Sequence, residues 1–102
     1  MAWNAAEAAT RGAELLDQRQ PNWAKPGLIN LRLLDLNDSL TCVLGQLYGL
    51  YDDGLDALHV WGRACELGFC ASPGNRHRWG ELTEAWRAEI RKRRHPKSAE
   101  VA

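Results

Sequence analysis

A repeated cysteine spacing, apolar runs of membrane length and an overall excess of either charge are what this 102-residue chain lacks. Its three cysteines, Cys42, Cys65 and Cys70, are odd in number and share no repeated spacing. That argues against a disulfide framework and for a reducing cytosol. No paired C-x2-C arrangement is present, so the usual structural zinc signature is missing. No apolar run approaches the length needed to cross a bilayer, and the start, Met1-Ala2-Trp3-Asn4, does not have the basic-then-apolar order of a signal peptide. Internal repeats and low-complexity tracts are absent. These absences point to a cytoplasmic protein with no membrane contact and no cofactor.

What is there fits one domain. A chain of this length has no room for two cores, and its apolar and charged fractions, 45% and 25%, are those of a globular protein. Five tryptophans supply large rings to a small core. The zero net charge is unevenly spread: residues 1–75 hold five Lys/Arg against nine Asp/Glu, and residues 76–102 hold eight against four. Such asymmetry suits an anionic partner, or equally a basic helix end followed by a tail.

Taken along the chain, the pattern predicts an all-α, compact, irregular bundle of about four helices, at about 4–19, 39–48, 53–67 and 78–94. Asn4 followed by Glu7 is a capping signature, and Ala5, Ala8, Ala9, Gly12, Leu15 and Leu16 recur at helical period. Glu7 and Arg11 stand at the spacing of a favourable pair. The small residues on this helix invite close approach by another helix or by Trp23. Pro21, Pro26 and Gly27 punctuate a loop. Ile29, Leu31 and Leu33 alternate with polar residues, which predicts an extended segment over about 28–36. Asp38 or Ser39 can cap the central helix, and Gly49 can end it in a left-handed conformation. Asp52 and Asp53 open the third helix, and Gly68-Phe69 has the form of a glycine stop. Trp79, Leu82, Trp86 and Ile90 form the stripe of the last helix, which Pro96 prevents from continuing. Residues 1–95 are thus expected as one helical domain, and 96–102 as a flexible tail.

Several segments together resemble a known group: Arg11-Gly12-Ala13-Glu14-Leu15-Leu16-Asp17, Pro21-x-Trp23, Leu34-Asp35-Leu36, and Leu82 through Ile90. The most distinctive is Cys42-Val43-Leu44-Gly45-Gln46-Leu47-Tyr48-Gly49. Over roughly residues 11–90 the chain resembles small uncharacterised proteins of actinobacteria and their bacteriophages. The resemblance implies an intracellular protein carried by a phage or prophage, and it brings no catalytic residue with it.

Candidate chemistry is sparse. Cys65, Cys70 and His77 are spaced C-x4-C-x6-H and, with Cys42 and His59, supply donors for a structural zinc site; buried thiols account for the same residues. Asp52, Asp53 and Asp56 suit a helix start as well as a cation. No base stands near Cys42 to activate it, so no catalytic residue is assigned. Leu44, Gln46, Leu47, Trp79, Leu82, Trp86 and Ile90 are the expected structural core, with Gln46 tying the central helix to residues 20–37. Trp3 and Trp61 are the tryptophans expected at the surface, where exposed rings mark protein-binding hot spots. Trp3 can equally act as a hydrophobic staple. Arg87, Arg91, Lys92, Arg94 and Lys97 form a basic strip that could follow a phosphate backbone, although cations also complement a helix C-terminus. The expected function is non-enzymatic binding of a protein partner, self-association included. Nucleic-acid binding and structural zinc binding are the alternatives.

Overall fold

The computed structural model describes residues 3–71 and 78–95, and these residues form an all-helical fold with no strand among them. The elements are α1 (Ala5–Arg19), α2 (Val43–Tyr48), α3 (Tyr51–Leu58), a 3₁₀ turn at Trp61–Arg63, and α4 (Trp79–Arg94). The expected tail at 96–102, with Lys97, and His77 lie outside the described residues.

The first and last helices form where their caps and periodicity place them. Asn4 Oδ1 accepts from the Glu7 amide at 2.9 Å and satisfies one orphan donor of α1. Ala5, Ala8, Ala9, Gly12, Ala13 and Leu16 form its buried stripe. These residues are small, so α4 packs closely and presents Leu82, Trp86 and Ile90. The Glu7–Arg11 pair does not form: Arg11 Nε donates instead to the Glu66 carbonyl at 3.0 Å.

Trp86 is the hub. Its ring stacks on Phe69 at 5.6 Å between centroids and meets Trp23 edge-on at 5.7 Å. Its indole N–H donates to the Gly68 carbonyl at 2.6 Å. Gly68 takes φ +75°, and a Cβ there would stand 2.7 Å from the Ala8 and Ala9 backbone. The turn at 67–69 therefore wedges directly against α1, as only glycine permits.

The central helices are shorter than their apolar pattern predicts. Asp38 Oδ1 accepts from the amides of Leu40 at 2.8 Å and Thr41 at 3.2 Å, an Asx turn that competes with helix and delays α2 to Val43. Cys42 caps it, its sulfur accepting from the Gly45 amide at 3.2 Å. Gly49, at φ +96°, ends it as expected. The predicted helix over 53–67 stops at Leu58, because His59 turns left-handed at φ +58° and directs its amide back to Asp56. Residues 59–71 continue as turns.

Cys65 and Cys70 correct the expectation of unpaired thiols. They form a disulfide with Cα atoms 4.6 Å apart, bracketing the turn that carries Gly68 and Phe69. Cys42 alone remains free, and it is buried. The bridge closes a ring of only a few residues, so a chain-entropy estimate gives about 2 kcal/mol. Addition of dithiothreitol is expected to lower the thermal midpoint by several degrees and leave the helical circular dichroism at low temperature intact. An unchanged midpoint would show that the bridge contributes nothing to the folded state.

Residues 28–36 are turns rather than an extended run. Gln46 holds this segment as expected. Its Oε1 accepts from the Asn30 amide at 2.6 Å, and its Nε2 donates to the Asn30 and Thr41 carbonyls at 3.2 and 2.8 Å. At the far end the Leu36 amide donates to Thr83 Oγ1 at 3.0 Å. Gln46→Ala is expected to cost about 1–2 kcal/mol in urea unfolding, since it strands a backbone amide and two carbonyls. No loss would show the three bonds to be incidental.

Candidate interaction surface

The residues predicted to face a partner end in very different places. Trp3 is not a free ring: it is half-buried against the core, and its indole N–H donates to the Cys65 carbonyl at 2.9 Å. Trp61 is exposed as expected, with its N–H donating to Asp56. Among the expected core residues, Leu44, Leu82, Trp86 and Ile90 are fully buried, while Leu47 and Trp79 pack half-buried against the cluster.

The basic strip is largely engaged by the protein itself. Arg87 donates to the Leu31 and Leu34 carbonyls, both at 3.3 Å, and pairs with Glu84. Arg94 donates to the Ala24 carbonyl at 2.6 Å and the Ile29 carbonyl at 2.5 Å. Periodicity places both arginines on one helical face, yet that face looks onto the turns at 24–34 and clamps their backbone. Lys92 pairs with Glu89 at 3.5 Å. Arg91 is exposed and makes no ion pair among the described residues.

Arg93, next to the strip on α4, binds two carboxylates at once. It reaches Asp17 at 2.8 Å and Glu89 at 2.9 Å, and it lies 5.6 Å from the Trp23 ring centroid. The Arg93 hydrogen bond holds the Asp17 carboxyl below its ordinary range; burial opposes this and the Trp23 N–H supports it. For Glu89, burial pushes the pKa up, but hydrogen bonds from Arg93 and Thr10 outweigh it and leave the group below its ordinary range. Carboxylates depressed in the fold stabilise it above their unfolded pKa, and that contribution is lost as pH falls through the folded value. Arg93→Met is expected to cost about 2 kcal/mol at pH 7 and to flatten the loss of stability between roughly pH 5 and 3. An unchanged pH profile would remove this network from the account.

The described surface carries several recesses, two of which bear on the candidate residues. One, about 570 Å³, is lined by Asp17, Trp23, Lys25, Arg93, Arg94 and His95 among others. The guanidiniums of Arg93 and Arg94 there are directed at Asp17, Glu89 and backbone carbonyls. The other, about 170 Å³, lies between Leu36, Asn37, Ser39, Tyr51, Phe69, Cys70 and Trp79. That is below the range of small-molecule sites, which starts at about 300 Å³.

No group of three or more His, Cys, Asp or Glu side chains able to hold a metal occurs among the described residues, and Cys65 and Cys70, two of the proposed zinc donors, bond to each other. Burial pushes the Cys42 thiol up, which makes it a poorer nucleophile.

The apolar surface is concentrated. Among the described residues the exposed large hydrophobics are Leu28 (44%), Leu33 (56%), Leu40 (59%), Leu50 (46%) and Trp61 (54%). Four of these five fall within Leu28–Leu50. The Tyr51 amide donates to the Ser39 carbonyl at 3.0 Å, which brings the chain at Leu40 beside the chain at Leu50. Asp35 likewise meets Thr41, amide to carbonyl, at 3.4 Å. Comparison with known protein families, curated proteins and solved structures finds no match to this chain. No helix among the described residues is long and apolar enough to cross a membrane.

The same stretch carries the charge. Residues 28–58 hold one cation, Arg32, against Asp35, Asp38, Asp52, Asp53 and Asp56, a balance of −4. The rest of residues 1–75 is neutral, with four Lys/Arg against four Asp/Glu. None of these five aspartates takes part in an ion pair among the described residues. Sequence reasoning passed over these leucines. The signal was adjacency: in Leu33-Leu34 only Leu34 is buried, and Leu40 and Leu50 each follow a turn residue.

Proposed function

We propose that this is a small non-enzymatic protein that works in the cytoplasm by binding a protein partner through the leucine-rich face of residues 28–58. The observation that carries the reading is the pair of exposed leucines, Leu40 and Leu50, set side by side by the Ser39–Tyr51 hydrogen bond, with Leu28 and Leu33 exposed on the same stretch of chain. Isolated exposed leucines are ordinary, whereas grouped ones mark interaction sites. The Cys65–Cys70 bridge closes a ring of only a few residues and is worth about 2 kcal/mol, so the fold is expected to survive its reduction in this setting. The resemblance to actinobacterial and phage proteins suits an accessory protein acting on a host protein. Immobilised protein is expected to retain a specific partner from an actinobacterial lysate, and the triple variant Leu33→Ser, Leu40→Ser, Leu50→Ser to release it. Equal retention by both proteins, or none by either, contradicts the reading.

A second reading, nucleic-acid binding, is favoured by the balance of +4 over residues 76–102 and by the exposure of Arg91 and Lys92. Because Arg87 and Arg94 clamp the 24–34 turns, the described strip leaves Arg91 for phosphate, together with Lys92, whose side chain stays exposed to solvent in its pair with Glu89. Duplex DNA binding at 50 mM salt that collapses at 200 mM, and disappears in Arg91→Ala, Lys92→Ala, would favour it.

A further inference from the structure

If residues 28–58 are a docking face, as the preceding reading holds, their chemistry specifies what docks there. We propose that the partner presents a basic amphipathic helix. Its apolar side chains meet Leu40 and Leu50, its Lys or Arg residues lie over Asp38, Asp52 and Asp53, and one large side chain enters the recess beside Ser39 and Tyr51.

Three observations converge on this occupant. The first is charge. Asp38 uses its carboxylate to order the 40–41 turn, but a hydrogen bond to neutral amides leaves the negative charge uncompensated. Asp52 and Asp53 sit exposed on the first turn of α3, where the helix dipole tolerates them. All three are exposed and lie within three residues of Leu40 or Leu50 in sequence, so the chain on either side of the two leucines carries one sign of charge. Complementary potentials select a cationic partner and penalise an anionic one.

The second is the recess. At about 170 Å³ it is too small for a typical ligand but suited to a single protruding side chain. It adjoins the Ser39–Tyr51 hydrogen bond, which is the crossing that brings Leu40 and Leu50 together. An anchor in a pocket ringed by apolar contacts is the usual anatomy of an interface hot spot. Tyr51 lines the recess, half-buried, and burial pushes its hydroxyl pKa up.

The third favours a different protein over a second copy of this chain. A symmetric dimer through this face would set a balance of −4 against itself. A head-to-tail contact would use the basic end of α4, but the large exposed hydrophobics lie elsewhere, on Leu28–Leu50 and at Trp61. A partner helix combining both characters fits the face, in the helix-in-groove mode of recognition.

The test uses the full chain and a synthetic 18-residue peptide of leucine and lysine at helical period. An isomer with the same composition in scrambled order and a leucine–glutamate counterpart serve as controls, all followed by titration calorimetry at 50 mM salt. The helical lysine peptide is expected to bind, and the scrambled and glutamate peptides to bind at least tenfold more weakly. Leu40→Ser, Leu50→Ser is expected to weaken binding tenfold or more, and Asp52→Asn, Asp53→Asn to weaken it severalfold and reduce its salt dependence. All four positions are exposed or half-exposed at the surface, and an unchanged thermal transition confirms that the variants fold. Arg91→Ala, Lys92→Ala is expected to bind as the unaltered chain does. Equal binding of the glutamate peptide, insensitivity to the leucine and aspartate changes, or self-association that Leu40→Ser abolishes would each overturn the proposal. A lysate partner that is lost with the leucines while the lysine peptide fails to bind leaves the docking face standing and removes only its basic helical occupant.

Discussion

Replacing Trp86 by alanine is expected to cost about 4 kcal/mol, a large share of the roughly 5–15 kcal/mol available to a domain of this size. The ring is fully buried and is the point where Trp23, Phe69 and α1 meet. Its removal opens a cavity that no flexible neighbour can fill. It also strands the Gly68 carbonyl, which now accepts the indole N–H at 2.6 Å. Trp86→Phe separates the two effects. It retains most of the packing but loses the donor, and it is expected to cost about 1–2 kcal/mol beyond the smaller ring volume. Urea unfolding followed by circular dichroism measures both variants. A loss under about 1 kcal/mol for alanine would mean that Trp86 is not the centre of the core.

Gly12→Ala is expected to cost about 3 kcal/mol, which for the addition of one methyl group is unusual. On an exposed helix position the same change stabilises, because alanine is the better helix former. Here a Cβ would overlap the Leu67 carbonyl oxygen and stand 2.8 Å from Trp86 Cζ2. The backbone cannot give at Leu67, because Gly68 beside it is wedged against Ala8 and Ala9. Trp86 cannot give either, because its ring is held on both sides and at its nitrogen. The sign of the change is therefore the readout. Stabilisation of Gly12→Ala in urea would show that α1 and the 67–69 turn do not approach as closely as described.

These two positions show which parts of the fold were legible in the sequence. Gly12 among alanines announced close approach on α1, and Trp79, Leu82, Trp86 and Ile90 announced the buried face of α4. Each signal is local, a spacing along one helix. Gln46 was legible for a related reason: an amide inside an apolar run must find partners, and the turns at 28–36 were the nearest candidates. The misread elements depend on choices a spacing does not reveal. His59 turns left-handed where a glycine would have advertised it, so the third helix ran too long. The Asp38 side chain diverts residues 39–42 into a turn whose competition with helix is decided by one carboxylate.

The surface was harder to read than the core. Arg87 and Arg94 share a face by periodicity, but whether that face meets solvent or a backbone depends on chain more than fifty residues away. The carbonyls of turns 24–34 accept from both guanidiniums, so these two arginines clamp the backbone. Trp3 moved inward for the same reason, through a carbonyl at Cys65. The exposed leucines at 28, 33, 40 and 50 lie in or beside turns, where no helical spacing marks them.

Amide hydrogen exchange on the protein bound to its lysate partner tests the central claim most directly, because it reports which surface is covered without requiring any substitution. The account predicts added protection across residues 38–54, centred on Leu40 and Leu50, with the exchange of Arg91 and Lys92 unchanged. Protection confined to the last turns of α4, with residues 38–54 exchanging as in the free protein, would contradict it.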